Sequence, residues 1–414
     1  MKGIAKFYTL FWVIYFPVCI AFTNIVNFDF SDELLCIFLL LYAITKKRFI
    51  EKEKKKTGEI KLYIAIMLFY IIYSFVIDIT TPRGIWLDIL QQIRPYAVFY
   101  LTWMLAPQFT ETQKKLIVRV MLASFLGYLF FFKTNPSIVS PFGGEESAAL
   151  GQIALCCGMI YFLFTEHTKK NRNIAIFIML LGLASGKSKY IGECIAFIAL
   201  VVYVDKKIRF DNMATYLKVG LLGSVIIFFT WTKFNAYYVE GFQDDAERIA
   251  RPETYKTGLQ IMKDYFPFGS GLGTFASAAA AKEYSPLYYK YDLNNIWGLT
   301  PENPMFLADT FYPIVYSQFG FFGALMFLWF WKRRLQEANR IIDPNYYKMA
   351  LMCILALALE NTADSSYLSG KGMGYFMILA VCLNSNKLLG RVRGQVTEPS
   401  LINIENGTDS KNTI

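Results

Sequence analysis

The chain has 414 residues, is 55% hydrophobic and 17% aromatic, and carries a formal net charge of +10; its mean hydropathy is +0.35. A soluble domain of this length does not easily hide that much apolar surface, so a polytopic membrane protein is the expectation. The positive charge gathers in short loops between apolar stretches, which accounts for it without a nucleic-acid partner.

A membrane-crossing helix needs about 20 mostly apolar residues. Candidate spans fall at 7–28, 31–45, 61–79, 86–106, 116–132, 148–165, 174–186, 190–204, 218–234, 305–331, 348–361 and 371–387. The first reads as a retained span, because no small-residue cleavage site follows it. The pair covering 174–204 reads either as two helices or as one broken, re-entrant unit. The expected fold class is all-α: an integral membrane bundle of about 12 transmembrane helices. The bundle covers 1–393 and includes one large, partly helical loop at 235–304. The polar segment 394–414 reads as a disordered tail.

Orientation follows from the basic loops. Lys46, Lys47, Arg48, Lys52, Lys54, Lys55, Lys56 and Lys61 share one, and the run 46–61 reads as solvated. Lys169, Lys170 and Arg172 share a second, Lys206, Lys207, Arg209 and Lys218 flank a third, and Lys332, Arg333 and Arg334 begin a fourth. With the N-terminus inside, all four are cytoplasmic, both termini are cytoplasmic, and the loop 235–304 faces outward. Cys19, Cys36, Cys156, Cys157, Cys194, Cys353 and Cys382 all fall within or beside spans and read as packing residues.

Charged residues in or beside the spans are the first candidates for function. Arg94 sits mid-span with Gln91 on its face and Pro95 after it. It either locks the bundle or contacts a substrate. Lys187 and Lys189 occupy the outer turn between two spans, beside Gly186 and Ser188. They either hold phosphate oxygens or anchor the interface. In the large loop, Arg248 and Arg251 suit a diphosphate, because guanidinium groups bind it bidentately and keep their charge. Their alternative is ion pairing with Asp244, Asp245 or Glu247. The run from Pro267 to Gly273, with Gly269 and Gly271, reads as a tight turn with exposed amides. Tyr284, Tyr288, Tyr289, Tyr291 and Trp297 suit either sugar stacking or a membrane interface. Glu302 and Asp309 flank the re-entry into the bundle, where a buried carboxylate can serve as a base or pair with a cation. His167, the sole histidine, reads as a surface residue, so neither a His/Cys zinc site nor a Ser-His-Asp triad is expected. The chain has no Walker loop and no dinucleotide fingerprint, which argues against a directly ATP-driven pump.

In order and spacing these features resemble the O-antigen ligase/polymerase superfamily of bacterial envelope enzymes. The resemblance runs over most of the chain and is strongest over 180–331. Ser188-Lys189 stands where the family has Ser-Arg. Arg251 and Tyr255 fit an Arg followed by an aromatic residue, and Pro267, Gly269, Gly271 and Gly273 fit a Pro-x-Gly-x-Gly phrase. Asp309-Thr310, Tyr312 and Gly320-Phe321-Phe322-Gly323 follow in family order, and Asp88 with Arg94-Pro95 resembles an upstream segment. The large loop lacks the histidine that ligases carry there, which shifts the resemblance towards polymerases.

The resemblance implies glycosyl transfer at the bacterial inner membrane, without metal or other cofactor. Donor and acceptor would be glycans on undecaprenyl pyrophosphate, joined on the periplasmic face into O-antigen, capsule or exopolysaccharide. It casts Arg251, Arg248, Asp309 and Glu302 as catalytic, and Arg94, Lys187, Lys189, Tyr255, Gly269 and Gly271 as substrate-binding. Membrane lipid and a chain-length regulator are the implied partners. An O-antigen ligase, a lipid-linked oligosaccharide flippase and a non-enzymatic assembly factor are the alternatives.

Overall fold

The computed structural model describes residues 2–25, 31–46, 54–134, 145–204, 207–208, 212–243 and 248–386. Lys47, Arg48, Lys52, Lys206, Arg209, Asp244, Asp245, Glu247 and the tail 394–414 lie outside the described residues.

Regular structure among the described residues is all helical, with no strand. The main helices are α1 (Lys2–Ile25), α2 (Ser31–Thr45), α3 (Lys54–Ile77), α4 (Pro82–Leu105), α5 (Glu111–Thr134), α6 (Glu145–Phe164) and α7 (Lys169–Leu181). They continue with α8 (Ser188–Tyr203), α9 (Met213–Phe229), α10 (Ala250–Asp264), α11 (Tyr312–Gln318), α12 (Gly320–Ala338), α13 (Pro344–Glu360) and α14 (Gly370–Leu383). Local signals set several starts. Thr81 caps α4 ahead of Pro82, Thr168 caps α7, Asn212 caps α9, and Asp343 caps α13 ahead of Pro344.

The segment 174–204 is two helices, α7 and α8, joined by a tight turn at Gly182–Ser185. The single span expected at 305–331 is not continuous. It divides into α11 and α12 at Phe319 and Gly320, where Gly320 has φ +62°. A Cβ on Gly320 would collide with the backbone of Phe268 and Gly269, so two chain segments touch where a side chain cannot fit.

The basic run expected to open a loop after 331 lies inside α12. Arg334 is fully buried, 2.5 Å from Glu59 on α3, and its guanidinium covers the rings of Phe99, Trp103 and Phe330 at 5.0, 4.7 and 5.0 Å. Arg333 pairs with the same carboxylate. Lys56 is buried too, donating to the Trp103 carbonyl at 2.9 Å and to Asn384 at 3.1 Å. The run 46–61 is therefore not a wholly solvated loop; its second half is the first turns of α3, clamped to the ends of α4, α12 and α14.

These contacts define two ends of the bundle. One gathers Lys56, Glu59, Arg333 and Arg334, and α13 begins just after α12 ends there. The large loop docks on the other. Between them, large apolar side chains point outward, among them Leu62, Leu68, Ile72 and Val76 on α3 and Leu217, Leu221 and Phe228 on α9. Helix α9 buries none of its residues. By length and composition, Lys56–Ile77 could cross a membrane alone, and Met213–Phe229 with Trp231–Phe242 forms a second candidate bent by 89°. The other apolar helices among the described residues fall short of that measure.

Candidate active site

The glycine run fastens the large loop to the bundle. The amide of Gly269 donates to the Tyr265 carbonyl at 2.8 Å, that of Ser270 to Ser317 at 2.9 Å and that of Gly271 to Gln318 at 2.9 Å. The amide of Leu272 donates to the Ser74 hydroxyl at 2.8 Å, and that of Gly273 to the buried Asp88 carboxylate at 2.8 Å. Gly269 and Gly271 sit at φ +78° and +89°. A Cβ on Gly269 would strike the α11–α12 junction. The expected exposed-amide cradle is thus not what forms. These amides are consumed by the protein, and Gly269 and Gly271 serve close packing.

Fastening the run this way sets α10 above the bundle, with Arg251 in its first turn. The Arg251 guanidinium lies 3.6 Å from the Asp309 carboxylate and covers the Tyr237 ring at 4.5 Å. At 3.6 Å the carboxylate is an ion-pair partner outside good hydrogen-bond range. The Arg251 side chain is 17% exposed and that of Asp309 is 40% exposed, so both open to the surface. Nε of Arg251 is enclosed without a hydrogen-bond partner, as is the hydroxyl of Thr310 next to Asp309. Unsatisfied polar atoms on both sides of an ion pair are uncommon and mark a place where another polar group can enter. Asp309 was expected to be buried; it is half-open instead, because the chain from Met305 to Thr310 is a turn and not a span.

Tyr255 donates its hydroxyl to the Thr362 carbonyl at 3.1 Å, and Tyr238 donates to the same oxygen at 2.9 Å. Burial holds the Tyr255 phenol well above its usual range, so it stays a donor. From the bundle side, Lys189 reaches Asp364 at 2.6 Å. The Ser365 hydroxyl bonds the Ala308 carbonyl, one residue before Asp309, and the Phe311 amide donates to the Asn361 carbonyl at 3.3 Å. The turn 361–366 between α13 and α14 therefore ties Tyr255, Lys189 and the segment before Asp309 to one point. Sequence reasoning passed over this turn, although a polar run Glu360-Asn361-Thr362-Ala363-Asp364-Ser365-Ser366 between two apolar segments is visible there.

Other candidates lie elsewhere. Arg248 precedes α10 and so shares no helical face with Arg251; it pairs with Glu253 at 2.9 Å and donates to the Asp292 carbonyl at 3.1 Å. Arg94 is buried, 2.7 Å from Glu33 on α2, and donates to the Leu368 carbonyl at 2.8 Å, which locks three segments. Lys187 caps α8, half-buried. Glu302 is exposed, so the buried base expected there does not form. Three of the aromatic residues are framework. Tyr284 donates to the Leu299 carbonyl at 2.8 Å, Tyr291 to Asp264 at 2.7 Å, and Tyr288 accepts from the Ala276 amide at 3.0 Å. Tyr289 and Trp297 keep exposed rings.

The bundle interior is also more polar than the apolar spans suggest. Glu193 and Glu360 are buried, and Gln152 and Tyr375 donate to Glu360 at 3.0 and 2.9 Å. No protein-family model matches this chain, and no curated protein sequence matches it.

Proposed function

We propose that this chain is a polytopic membrane glycosyltransferase that joins glycan repeat units carried on a polyprenyl diphosphate. Support for a membrane setting comes from the outward-facing leucines, isoleucines and phenylalanines between two polar ends, a surface that lipid covers better than water. The large loop stands at the end opposite Lys56, Arg333 and Arg334, which agrees with the loop being outside and the basic end cytoplasmic.

The observation that carries the reaction is the Arg251–Asp309 pair beneath Tyr237. In this reading Asp309 occupies the guanidinium until a substrate diphosphate takes its place. Arg251 then offsets charge growing on the leaving oxygen, with Lys189, held by Asp364 of the turn 361–366, as a second cation. The freed carboxylate accepts the proton of the acceptor hydroxyl as that oxygen attacks the anomeric carbon and the carbon–diphosphate bond breaks. Growing glycan and incoming repeat would both hang from lipid diphosphates.

One observation favours a transporter instead: the buried Glu193, Glu360, Gln152 and Tyr375 lie inside the bundle, where a transport path would run. Glycan profiling of a deletion strain separates the readings. Polymerase loss leaves surface glycan stopped at one repeat. Repeats held inside the cell point to a flippase, and polymer left unattached points to a ligase.

A further inference from the structure

A charged cavity lies far from Arg251, at the basic end of the bundle. Its space of about 150 Å³ sits between the end of α6, the start of α7, the end of α8 and the start of α13. Lys169, Arg172, Lys348 and His167 line it, with Glu166 the one acid and two threonines and two asparagines as the neutral polar lining. Phe162 and Val201 give it an apolar floor. Lys348 is 8% exposed and donates to the Val201 carbonyl at 3.1 Å, so its ammonium is built into the wall. Nε of Arg172 is enclosed without a hydrogen-bond partner. Among the described residues, neither Lys169 nor Arg172 has a carboxylate within ion-pair distance.

The charge here runs against helix electrostatics. A helix N-terminus carries partial positive charge and normally attracts acids. Helix α7 instead opens with Lys169, Lys170 and Arg172 and has no acid in its first turn. Four cationic or protonatable side chains and a helix dipole converge on one cavity against a single glutamate. An anion in the cavity would relieve that repulsion and give Arg172 Nε a partner. The separation from the Arg251 site is large: Lys348 and Glu360 stand twelve positions apart on α13, which is about 18 Å at the usual helical rise.

We propose that this cavity binds a phosphate group, a mono- or diester, at the end of the bundle opposite the large loop. An anionic lipid headgroup and a soluble phosphate share that chemistry. The apolar floor beside the charges suits a headgroup whose chains continue along the bundle.

The test uses the full chain purified in detergent, with Arg172→Gln, Lys169→Gln and the double variant, and Lys169→Arg as a charge-keeping control. Native mass spectrometry reads retention of phosphatidylglycerol against phosphatidylcholine, and calorimetry reads binding of inorganic phosphate. Preferential retention of phosphatidylglycerol, weakened about fivefold by one Gln substitution and about 25-fold by both, identifies the lipid source. Inorganic phosphate binding with the same sensitivity but no lipid preference identifies the soluble source. Equal retention of both lipids with no phosphate binding, or retention unchanged in the double variant, overturns the proposal.

Discussion

At the scale of single residues, two groups that stand far apart in sequence, Arg251 and Asp309, meet at 3.6 Å at the loop–bundle junction. Arg251 stacks on Tyr237 and presents a planar fork to whatever anion arrives. Arg251→Lys keeps the charge and loses both the fork and the stacking, so the product ladder in a purified assay should shorten without disappearing. Asp309→Asn removes the proposed proton acceptor and should slow transfer by about 100-fold or more, with thermal stability nearly unchanged because the carboxylate is half-open. A normal rate in Asp309→Asn would take the base role away from it. A meeting of these two residues was legible only through the family resemblance of their order along the chain. That Arg248, Glu302 and the glycine amides do not join them was not. Arg248 has Glu253 and a backbone carbonyl to bind, and a glycine-rich turn reads the same whether its amides face solvent or a neighbouring helix.

Among elements, the docked turn 267–273 decides whether the loop is held. Its backbone lies against the α11–α12 junction so closely that a methyl group has no room at Gly269. Gly269→Ala should cost about 2 kcal/mol or more, from φ strain plus the clash, and lower the melting temperature clearly. Gly186→Ala is the control: its φ is +64° but nothing lies within 4 Å, so strain of about 1 kcal/mol is the whole cost. Equal losses at the two sites would mean the loop is not seated as described. The loop's tyrosines add a pH dependence. Burial pushes the Tyr284 phenol up from 10.0 to about 12 in the folded chain. A raised pKa stabilises the fold fully below pH 10 and loses that contribution as pH rises through about 12. Phenolate absorbance should therefore appear late in an alkaline titration of the native chain and earlier once it is denatured. Appearance at the same pH in both states would contradict the half-buried placement of this ring.

Over the whole molecule, apolar runs made most helices legible, since burying or lipid-coating such runs demands a satisfied backbone. The break at Phe319 and Gly320 was hidden because its cause is Gly269, fifty-one positions earlier, and local sequence carries no trace of that contact. The burial of Arg334 was hidden for the same reason: a basic run at a helix end normally marks a loop, and only the fold supplies Glu59 as partner. The turn 361–366 was visible as a polar run but gained meaning only when Tyr255, Lys189 and Ala308 were seen to converge on it. What these pieces support together is a cationic centre, held between loop and bundle, that releases a lipid diphosphate as a glycosidic bond forms. The direct measurement is chain elongation by the purified protein in lipid nanodiscs supplied with repeat units on a polyprenyl diphosphate. Wild type should yield a ladder of products, and Arg251→Ala, folded and inserted to the same extent, should yield almost none, a loss of about 100-fold or more. An undiminished ladder from Arg251→Ala would contradict the account.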